Sequence, residues 1–347
     1  MSFRFNILRR SAGIGLLVLA GLSSAAAATP PVPRKAKLGK VLGADISFLP
    51  QLEAQGVKFS DKGVVKDAIQ ILKDHGFNYI RLRIFNNPAA DSGYSPGKGF
   101  CDLPHTLAMA KRVKQAKLKL LLDFHYSDTW ADPQKQFKPL AWKSLTGAAL
   151  ETAVHDYTKE VLQALRAQGT PPDMVQVGNE INHGMIWPDG DVDKADSLAR
   201  FDVLAGLAQA GARAVREITP NALVMMHVAL GGQNLKSTLW LDHMMARKVP
   251  FDVIGESYYP KWHGTIADLK NNLTDLANKY PQDIVVVEYS ERKREVNDIA
   301  FNLPGGKGRG SFIWEPLNTW ESIFDKQGKA NDLLLIYDEI SRKYRVE

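Results

Sequence analysis

The chain has 347 residues, of which 45% are hydrophobic and 24% charged, and its formal net charge is +6 at pH 7. This composition is typical of a folded globular protein and excludes a disordered or fibrous chain. No block of lysine and arginine with interleaved aromatic residues occurs, so we expect no nucleic-acid partner.

The first 28 residues differ from the rest of the chain. Three arginines precede the apolar run 12–22, and small residues suited to cleavage follow it. This order predicts a secretory signal peptide over 1–28, because the apolar run is short for a membrane span. An uncleaved amphipathic anchor is the alternative. A short proline-rich segment, 29–40, comes next, and we expect a secreted or periplasmic protein that does not contact the membrane once the signal is cleaved.

Eight strand-like segments recur along the remainder of the chain. Each begins with aliphatic or β-branched residues and ends with polar or aromatic ones. They are VLGADIS (41–47), YIRLRIF (79–85), KLLLDFHY (119–126), MVQVGNE (174–180), LVMMHVA (223–229), DVIGESYY (252–259), DIVVVEYS (283–290) and GSFIWEP (310–316).

Amphipathic stretches separate most of these strands. The segments 64–76, 103–117 and 198–218 have apolar residues near helical spacing. Strand and helix repeated eight times predict a single-domain α/β protein, a (β/α)8 TIM barrel over 41–347. A doubly wound open sheet is the alternative, but such a sheet more often has a glycine-rich phosphate turn after its first strand, and GADIS is not one.

Polar side chains cluster at the carboxyl ends of the predicted strands. In a barrel these ends converge on one rim, which is where barrel enzymes hold their active sites. A lone His or Glu at a strand end is more often structural, but here every end shares this character. The residues are Asp45, Arg81, Arg83, His125, Asn179, Glu180, His227, Tyr258, Tyr259, Glu288 and Trp314.

Two carboxylates stand on roughly opposite sides of this rim, Glu180 after the fourth strand and Glu288 after the seventh. Paired carboxylates fit glycoside hydrolysis, in which one protonates the leaving oxygen and the other attacks the anomeric carbon or activates water. A metal hydrolase is the alternative, but His125, His227 and the two glutamates come from well-separated strands, and no HxH or HExxH spacing occurs. We therefore expect no metal and no cofactor.

The order of these segments resembles glycoside hydrolase family 53, the endo-β-1,4-galactanases, which are barrel glycosidases of clan A. The resemblance covers almost all of the chain after the signal segment, and DFHYSDTWADP is a highly specific signature. It implies a retaining, endo-acting hydrolase of β-1,4-galactosidic bonds in the galactan and arabinogalactan side chains of pectin. The matching landmarks are GADIS, RLRIF, LLLDFHYSDTWADP (120–133), VQVGNEINHGMIWP (175–188), SYYPKWHGT (257–265), VVVE (285–288) and WEP (314–316).

The resemblance also implies roles for single residues. Glu180 resembles the general acid/base and Glu288 the nucleophile of a double displacement. Asn179 is expected to hydrogen-bond the sugar 2-hydroxyl, a contact that strengthens in the transition state. Tyr259 is expected to hold Glu288 ionised and oriented for attack.

The remaining expected site residues surround these four. Arg83, and secondarily Arg81, is expected to keep a nearby carboxylate deprotonated. Trp130 and Trp187 offer flat apolar faces for sugar rings, although aromatic residues on loops also serve as packing anchors. The residues expected to line the site around the cleaved sugar are Asp45, His125, His227 and Trp314.

Three departures from the family pattern concern subsites more than catalysis. Ala229–Leu230 stands where the family usually has an Asp or Asn. Glu256, on the sixth strand, is either a third rim carboxylate or an outward-facing one. The run YSERKREV follows Glu288 in place of the usual Thr, aromatic and Pro run. Two alternatives to a galactanase are a β-1,4-glycanase of mannan or glucan and a galactan-binding protein without catalysis, although the presence of both Glu180 and Glu288 argues against the second.

Two further expectations concern assembly and calcium. We expect a monomer. The connection 290–310 has no dense set of Asp and Asn ligands, so we expect no loop-bound calcium there. Asp325, Asn331 and Asp332 are interpreted as turn and helix-cap residues.

Overall fold

The computed structural model describes residues 1–2, 38–193, 197–319 and 321–347. Eight parallel strands close into a barrel in which each strand pairs with its neighbours in chain order and the last pairs with the first. The predicted (β/α)8 TIM barrel is therefore confirmed. The strands are β1 (Val41–Asp45), β2 (Tyr79–Ile84), β3 (Lys119–Phe124), β4 (Met174–Val177), β5 (Leu223–Val228), β6 (Val253–Tyr258), β7 (Asp283–Tyr289) and β8 (Gly308–Trp314).

Helices follow the strands around the outside of the barrel. The predicted helix at 64–76 begins only at Ala68, because Val64–Val65 pairs with Ser60–Asp61 in a short antiparallel ribbon and the Asp67 side chain caps the helix. The α-helices are α1 (Leu49–Ala54), α2 (Ala68–Asp74), α3 (Leu103–Gln115), α4 (Gly147–Ala167), α5 (Ser197–Ile218), α6 (Asn234–Ala246), α7 (Pro260–His263), α8 (Ile266–Lys279), α9 (Lys293–Phe301) and α10 (Leu335–Tyr344).

The predicted signal peptide, 1–28, lies outside the described residues except for 1–2, and the proline-rich segment lies outside them except for 38–40. Among the helices that the structure describes, none is both long and apolar enough to cross a membrane.

Two apolar layers stabilise the barrel. The larger lies between the strands and the helices, and the smaller fills the lower part of the barrel interior with residues such as Tyr79, Leu121, Met225 and Phe312. Side chains alternate between the two faces of a strand, so the inward positions of β2 run from Tyr79 to Arg81 and Arg83. The interior therefore changes from apolar to polar toward the carboxyl ends of the strands, where the candidate site lies.

Two backbone irregularities place the carboxylates on this rim. In β7 a β-bulge sets Val287 and Glu288 opposite the single residue Ser257 of β6, which turns Glu288 out of simple alternation. After β4, Gly178 has φ +87° and Glu180 itself has a left-handed backbone, φ 49° and ψ 50°. A left-handed glutamate is uncommon and is typical of a functional position that its surroundings hold in place.

Candidate active site

A cleft of about 520 Å³ opens at the carboxyl end of the barrel. Six of the residues predicted from the sequence line it: Trp130, Asn179, Glu180, Tyr259, Glu288 and Trp314. Ala131, Asp132, Leu230 and His263 also line it. The cleft combines aromatic faces with two carboxylates, which is the composition of a carbohydrate site.

Glu288 is buried and paired with a cation. Arg81 Nη1 lies 2.7 Å from Glu288 Oε1, and the Tyr259 hydroxyl donates a hydrogen bond of 3.1 Å to Oε2. Burial raises the pKa of Glu288, whereas the Arg81 guanidinium opposes that rise. Both contacts favour the ionised carboxylate, which is the form that attacks an electrophilic carbon.

Glu180 has a different environment. Its Oε1 accepts a hydrogen bond of 2.8 Å from the Ser257 hydroxyl. One oxygen of Glu180, one of Glu288 and one ring nitrogen of His227 all lie within 4.8 Å of one another. Burial and the neighbouring Glu288 carboxylate raise the pKa of Glu180 well above its usual range. Glu180 therefore holds its proton more strongly than an exposed glutamate does, as a general acid requires.

Arg81 connects the groups beneath the cleft. It is buried, and its guanidinium contacts three carboxylates and two amide oxygens. Because each of its nitrogens is used, the cation is fixed in one orientation toward Glu288. Besides Glu288, its partners are Asp45 (3.0 Å), Asp123 (2.8 Å), Asn179 (2.9 Å) and Gln176 (3.2 Å).

The structure reverses the expected order of the two arginines. Arg83 does not contact Glu180 or Glu288 in the described contacts but pairs with Glu315 and, at 3.4 Å, with Asp45. Its guanidinium also lies 4.4 Å from the centre of the Trp130 ring. Arg81 is the arginine that favours an ionised catalytic carboxylate, and Arg83 supports the aromatic wall of the cleft.

Three residues expected around the sugar are instead buried beneath the cleft. Asp45 bonds Arg81, His125 Nδ1 accepts from the Ala131 backbone, and His227 bonds the Ser257 hydroxyl at 2.7 Å. None of the three is among the residues that line the cleft, and their polar atoms instead hold Arg81, the Ala131 backbone and Ser257. Trp314, the fourth residue of that group, lines the cleft.

Trp187 lies outside this cleft. It lines a separate depression of about 890 Å³ together with Phe137, Pro188 and Arg200. Its indole nitrogen donates to the His183 carbonyl at 3.0 Å. Of the two predicted tryptophan platforms, Trp130 alone therefore lines the cleft of the carboxylates.

Glu256 is an outward-facing carboxylate and not a third rim group. It is fully buried between the barrel and the helices, and Oε2 accepts from the Leu230 backbone at 3.1 Å. Burial raises its pKa to about 8. Since Leu230 lines the cleft, Glu256 contacts a wall of the site from behind.

The cluster of Glu180, His227 and Glu288 has distances that suit a metal ion. Their strands are well separated in the sequence, and the barrel rim brings the three groups together. The donors are nevertheless already used: His227 is bonded through both ring nitrogens, and Glu288 through Arg81 and Tyr259. This donor set fits a hydrogen-bonded acid pair better than a metal centre.

Sequence reasoning missed four buried polar residues that organise the site. Asp123 and Gln176 occupy inward positions of otherwise apolar strands, which is a signal that period-two alternation could have revealed. Ser257 stands in the SYYP segment, and Glu315 follows Trp314 in WEP. The last two resemble ordinary strand-end residues, so only the structure indicates what they contact.

Comparisons with known proteins agree with this geometry. The sequence model of glycosyl hydrolase family 53 matches residues 41–303. The endo-β-1,4-galactanase of Bacillus subtilis is 37% identical over 291 residues, which is 84% of this chain and 64% of that protein. A probable arabinogalactan endo-β-1,4-galactanase A of Aspergillus terreus is 31% identical over 329 residues, 85% of this chain and 90% of its own length.

A solved structure gives the same picture. The catalytic domain of family 53 from Ignisphaera aggregans superposes with a TM-score of 0.79 and 32% sequence identity, and the match covers 89% of this chain and 98% of that one.

Proposed function

The chain belongs to glycosyl hydrolase family 53, and from this premise we propose that it is an endo-acting β-1,4-galactanase that cleaves the galactan and arabinogalactan side chains of pectin. The observation that carries the proposal is the pair of differently held carboxylates, Glu180 and Glu288, in a cleft with tryptophan walls. The galactanase names of the Bacillus and Aspergillus relatives support the choice of substrate.

The two carboxylates divide the work of a double displacement. Glu288, held ionised by Arg81 and Tyr259, attacks the anomeric carbon while Glu180 gives its proton to the departing glycosidic oxygen. A covalent glycosyl-enzyme results. Glu180, now ionised, takes a proton from water, and the hydroxide that forms displaces Glu288. Asn179, which lines the cleft beside Glu180, is proposed to bond the sugar 2-hydroxyl.

This mechanism retains the configuration of the anomeric carbon. Retaining glycosidases hold their carboxyl groups about 5–5.5 Å apart, whereas inverting ones need roughly 6.5–9.5 Å to admit a water. Oxygens of Glu180 and Glu288 approach within 4.8 Å. The spacing therefore supports retention.

Substrate assays test the proposal directly. Reducing-sugar release is compared on β-1,4-galactan, mannan and cellulose, with Glu288→Ala as the inactive control, which should lose several orders of magnitude in turnover. We expect release from galactan, with the β-anomer formed first in nuclear magnetic resonance spectra. Preference for mannan or cellulose would instead identify another β-1,4-glycanase, and binding of galactan without hydrolysis would identify a non-catalytic protein.

Azide rescue separates the two roles. With an activated aryl galactoside, Glu288→Ala should give the inverted glycosyl azide and Glu180→Ala the retained one, because azide replaces the nucleophile in the first and water in the second. The opposite stereochemistry would exchange the roles.

The place of action and the assembly belong to the same proposal. The predicted signal peptide, 1–28, supports export to the periplasm or the medium, where pectic polysaccharide is accessible. Action as a monomer is the second part of this proposal. Fractionation of the expressing cells and the elution volume of the purified protein test these two points.

A further inference from the structure

Ser257 lies between the acid/base and a buried histidine. Its hydroxyl is 2.8 Å from Glu180 Oε1 and 2.7 Å from His227 Nε2. Both Ser257 and His227 are fully buried. A hydroxyl has one proton, so it can donate to only one of these two neighbours and must accept from the other. The direction of this chain of bonds depends on which nitrogen of His227 carries the proton.

The surroundings of His227 Nδ1 settle its tautomer. The backbone N–H of Glu180, which cannot rotate, points at Nδ1 from 3.4 Å, and the side-chain amide nitrogen of Gln176 lies 3.0 Å away. The oxygen of Asn179 is also 3.0 Å from Nδ1, but it has two other donors, Arg81 at 2.9 Å and Gln176 at 3.1 Å, for its two lone pairs. The Gln176 nitrogen also donates to Asp123 at 2.5 Å, so the fixed Glu180 N–H is the donor that decides: it makes Nδ1 an acceptor, which leaves the proton on Nε2.

The surroundings of His227 favour its neutral form. Arg81, Asp123, His125, His263 and the carboxyl groups of Glu180 and Glu288 are charged or titratable groups around His227. Burial together with the Arg81 cation lowers the pKa of His227 well below its usual range. With the proton on Nε2, His227 donates to the Ser257 oxygen. The Ser257 hydroxyl is then left to donate to Glu180 Oε1.

We propose that Ser257, oriented by His227, is a positioning residue that keeps Glu180 Oε1 as a hydrogen-bond acceptor and so places the catalytic proton on Oε2. This inference rests on the proposed function. In the first step the proton leaves Oε2 for the glycosidic oxygen as the bond from that oxygen to the anomeric carbon breaks. In the second step Oε2 takes a proton from water. Oε1 keeps the same partner throughout, so the site needs no rearrangement between the two steps.

The same contact controls how readily Glu180 loses its proton. The other charged groups that face Glu180 are Glu288 and Asp132, whose negative charges favour the protonated form, and Arg81, which favours the ionised form. A hydroxyl that donates to Oε1 also favours the ionised form. Removing that hydroxyl should therefore make Glu180 a weaker acid. The alkaline limb of the pH profile, where Glu180 must still hold its proton, should move to higher pH.

The test compares kcat/KM against pH on galactan for wild type, Ser257→Ala and Ser257→Thr. Ser257→Ala should lose about tenfold or more in kcat with KM within about twofold, because a hydrogen bond to a charged group that acts in catalysis is lost. When each kcat/KM is expressed as a fraction of that protein's own plateau value, Ser257→Ala should be about tenfold more active than wild type above the wild-type alkaline midpoint. Ser257→Thr, which keeps a hydroxyl, should return the limb toward wild type.

Ser311→Ala is the matched control. Ser311 is another buried strand serine, but its hydroxyl donates to Asn297 at 2.8 Å on the helix side of β8, away from Glu180. It should leave the alkaline limb in place. A limb that moves to lower pH in Ser257→Ala would show that Glu180 donates to Ser257 and would overturn the proposal, as would a limb that does not move or that threonine fails to restore.

A second measurement keeps the proposal testable if the alanine variant does not fold. Nitrogen-15 spectra of wild-type protein labelled in histidine, assigned by loss of one signal pair in His227→Gln, should show His227 neutral with the proton on Nε2. Protonation on Nδ1 would overturn the chain of bonds. This tautomer is read without turnover, so failure of the galactanase proposal, seen as no release from galactan, is distinguishable from failure of this one.

Discussion

Replacing Tyr259 by Phe should move the acid limb of the pH profile. The Tyr259 hydroxyl donates to Glu288 Oε2 at 3.1 Å inside a buried site, and burial raises the pKa of Tyr259, so the donor proton stays in place. The donor favours the ionised nucleophile. Its removal leaves Arg81 on the other oxygen and raises the pKa of Glu288. Activity is lost as pH falls through that pKa, so the limb should move to higher pH.

The magnitude follows from the loss of one hydrogen bond to a charged group. Such a bond contributes about 1.5–3 kcal/mol, which is a factor of about 10 to 100. In the acid limb, where only the ionised fraction reacts, kcat/KM of Tyr259→Phe should therefore fall by about 10- to 100-fold, with a smaller loss on the plateau. The assay is galactan hydrolysis across the acidic range.

The neighbouring tyrosine supplies the control. Tyr258 lies on the same strand end but points away from the site, and its hydroxyl donates to the Gly264 carbonyl at 3.1 Å. Tyr258→Phe should leave the acid limb unchanged. An equal loss at every pH in Tyr259→Phe, with an unmoved limb, would refute the reasoning and make the Tyr259 contact purely structural.

Three further predictions concern stability, calcium and subsites. Burial raises the pKa of Glu256 from 4.5 to about 8, so between these pH values the folded protein keeps a proton that the unfolded chain has lost, and stability falls as pH rises. Glu256→Gln should therefore reduce the drop in Tm between pH 5 and 8 by several degrees, measured by calorimetry. An unchanged drop would contradict this. A chelator should change neither Tm nor activity, because the side-chain oxygens of Asp325 and Asn331 already accept backbone N–H groups, and a fall in either would contradict that expectation. Trp130→Ala should raise KM for galactotetraose about tenfold while Trp187→Ala changes it less than about twofold, since Trp130 alone of the two lines the cleft; equal effects would contradict that placement.

The fold was predictable because its determinants are local. Apolar runs such as those of β5 and β7 lie within a few residues of their predicted bounds, and the amphipathic stretch at 198–218 forms α5 almost as predicted. The period and the length of the apolar pattern are enough to assign these strands and helices, without knowledge of which segments they pack against. The start of α2 was not predictable in the same way, because Val64–Val65 joins a ribbon that depends on pairing with another segment.

Which residues belong to the site could be predicted better than how they are arranged. Glu180, Asn179, Tyr259 and Trp314 occur in recognisable segments, and all four line the cleft. What alternation does not supply is the bulge that turns Glu288 to the rim, since a strict period of two would place Val287 and Glu288 on opposite faces.

The two arginines show that the sequence does not indicate which charged groups pair in the folded protein. Arg81 and Arg83 are two residues apart and both point inward from β2. Nothing in the sequence indicates which of them reaches Glu288. The answer depends on depth in the barrel, because Arg81 is level with Asp45 on β1 and bonds both Asp45 and Asp123, whereas Arg83 lies two residues nearer the rim and pairs with Glu315.

The balance of buried charge explains why the two catalytic glutamates differ. The interior around the cleft contains more carboxylates than arginines, so it cannot hold every one of them ionised at low cost, and a proton must remain on some of them. Glu288 has both a cation and a phenol donor, whereas Glu180 has one serine hydroxyl. When Glu180 and Glu288 hold one proton between them, that proton is therefore on Glu180. The assignment of acid/base and nucleophile thus follows from unequal partners and does not depend on the positions of the two residues in the chain.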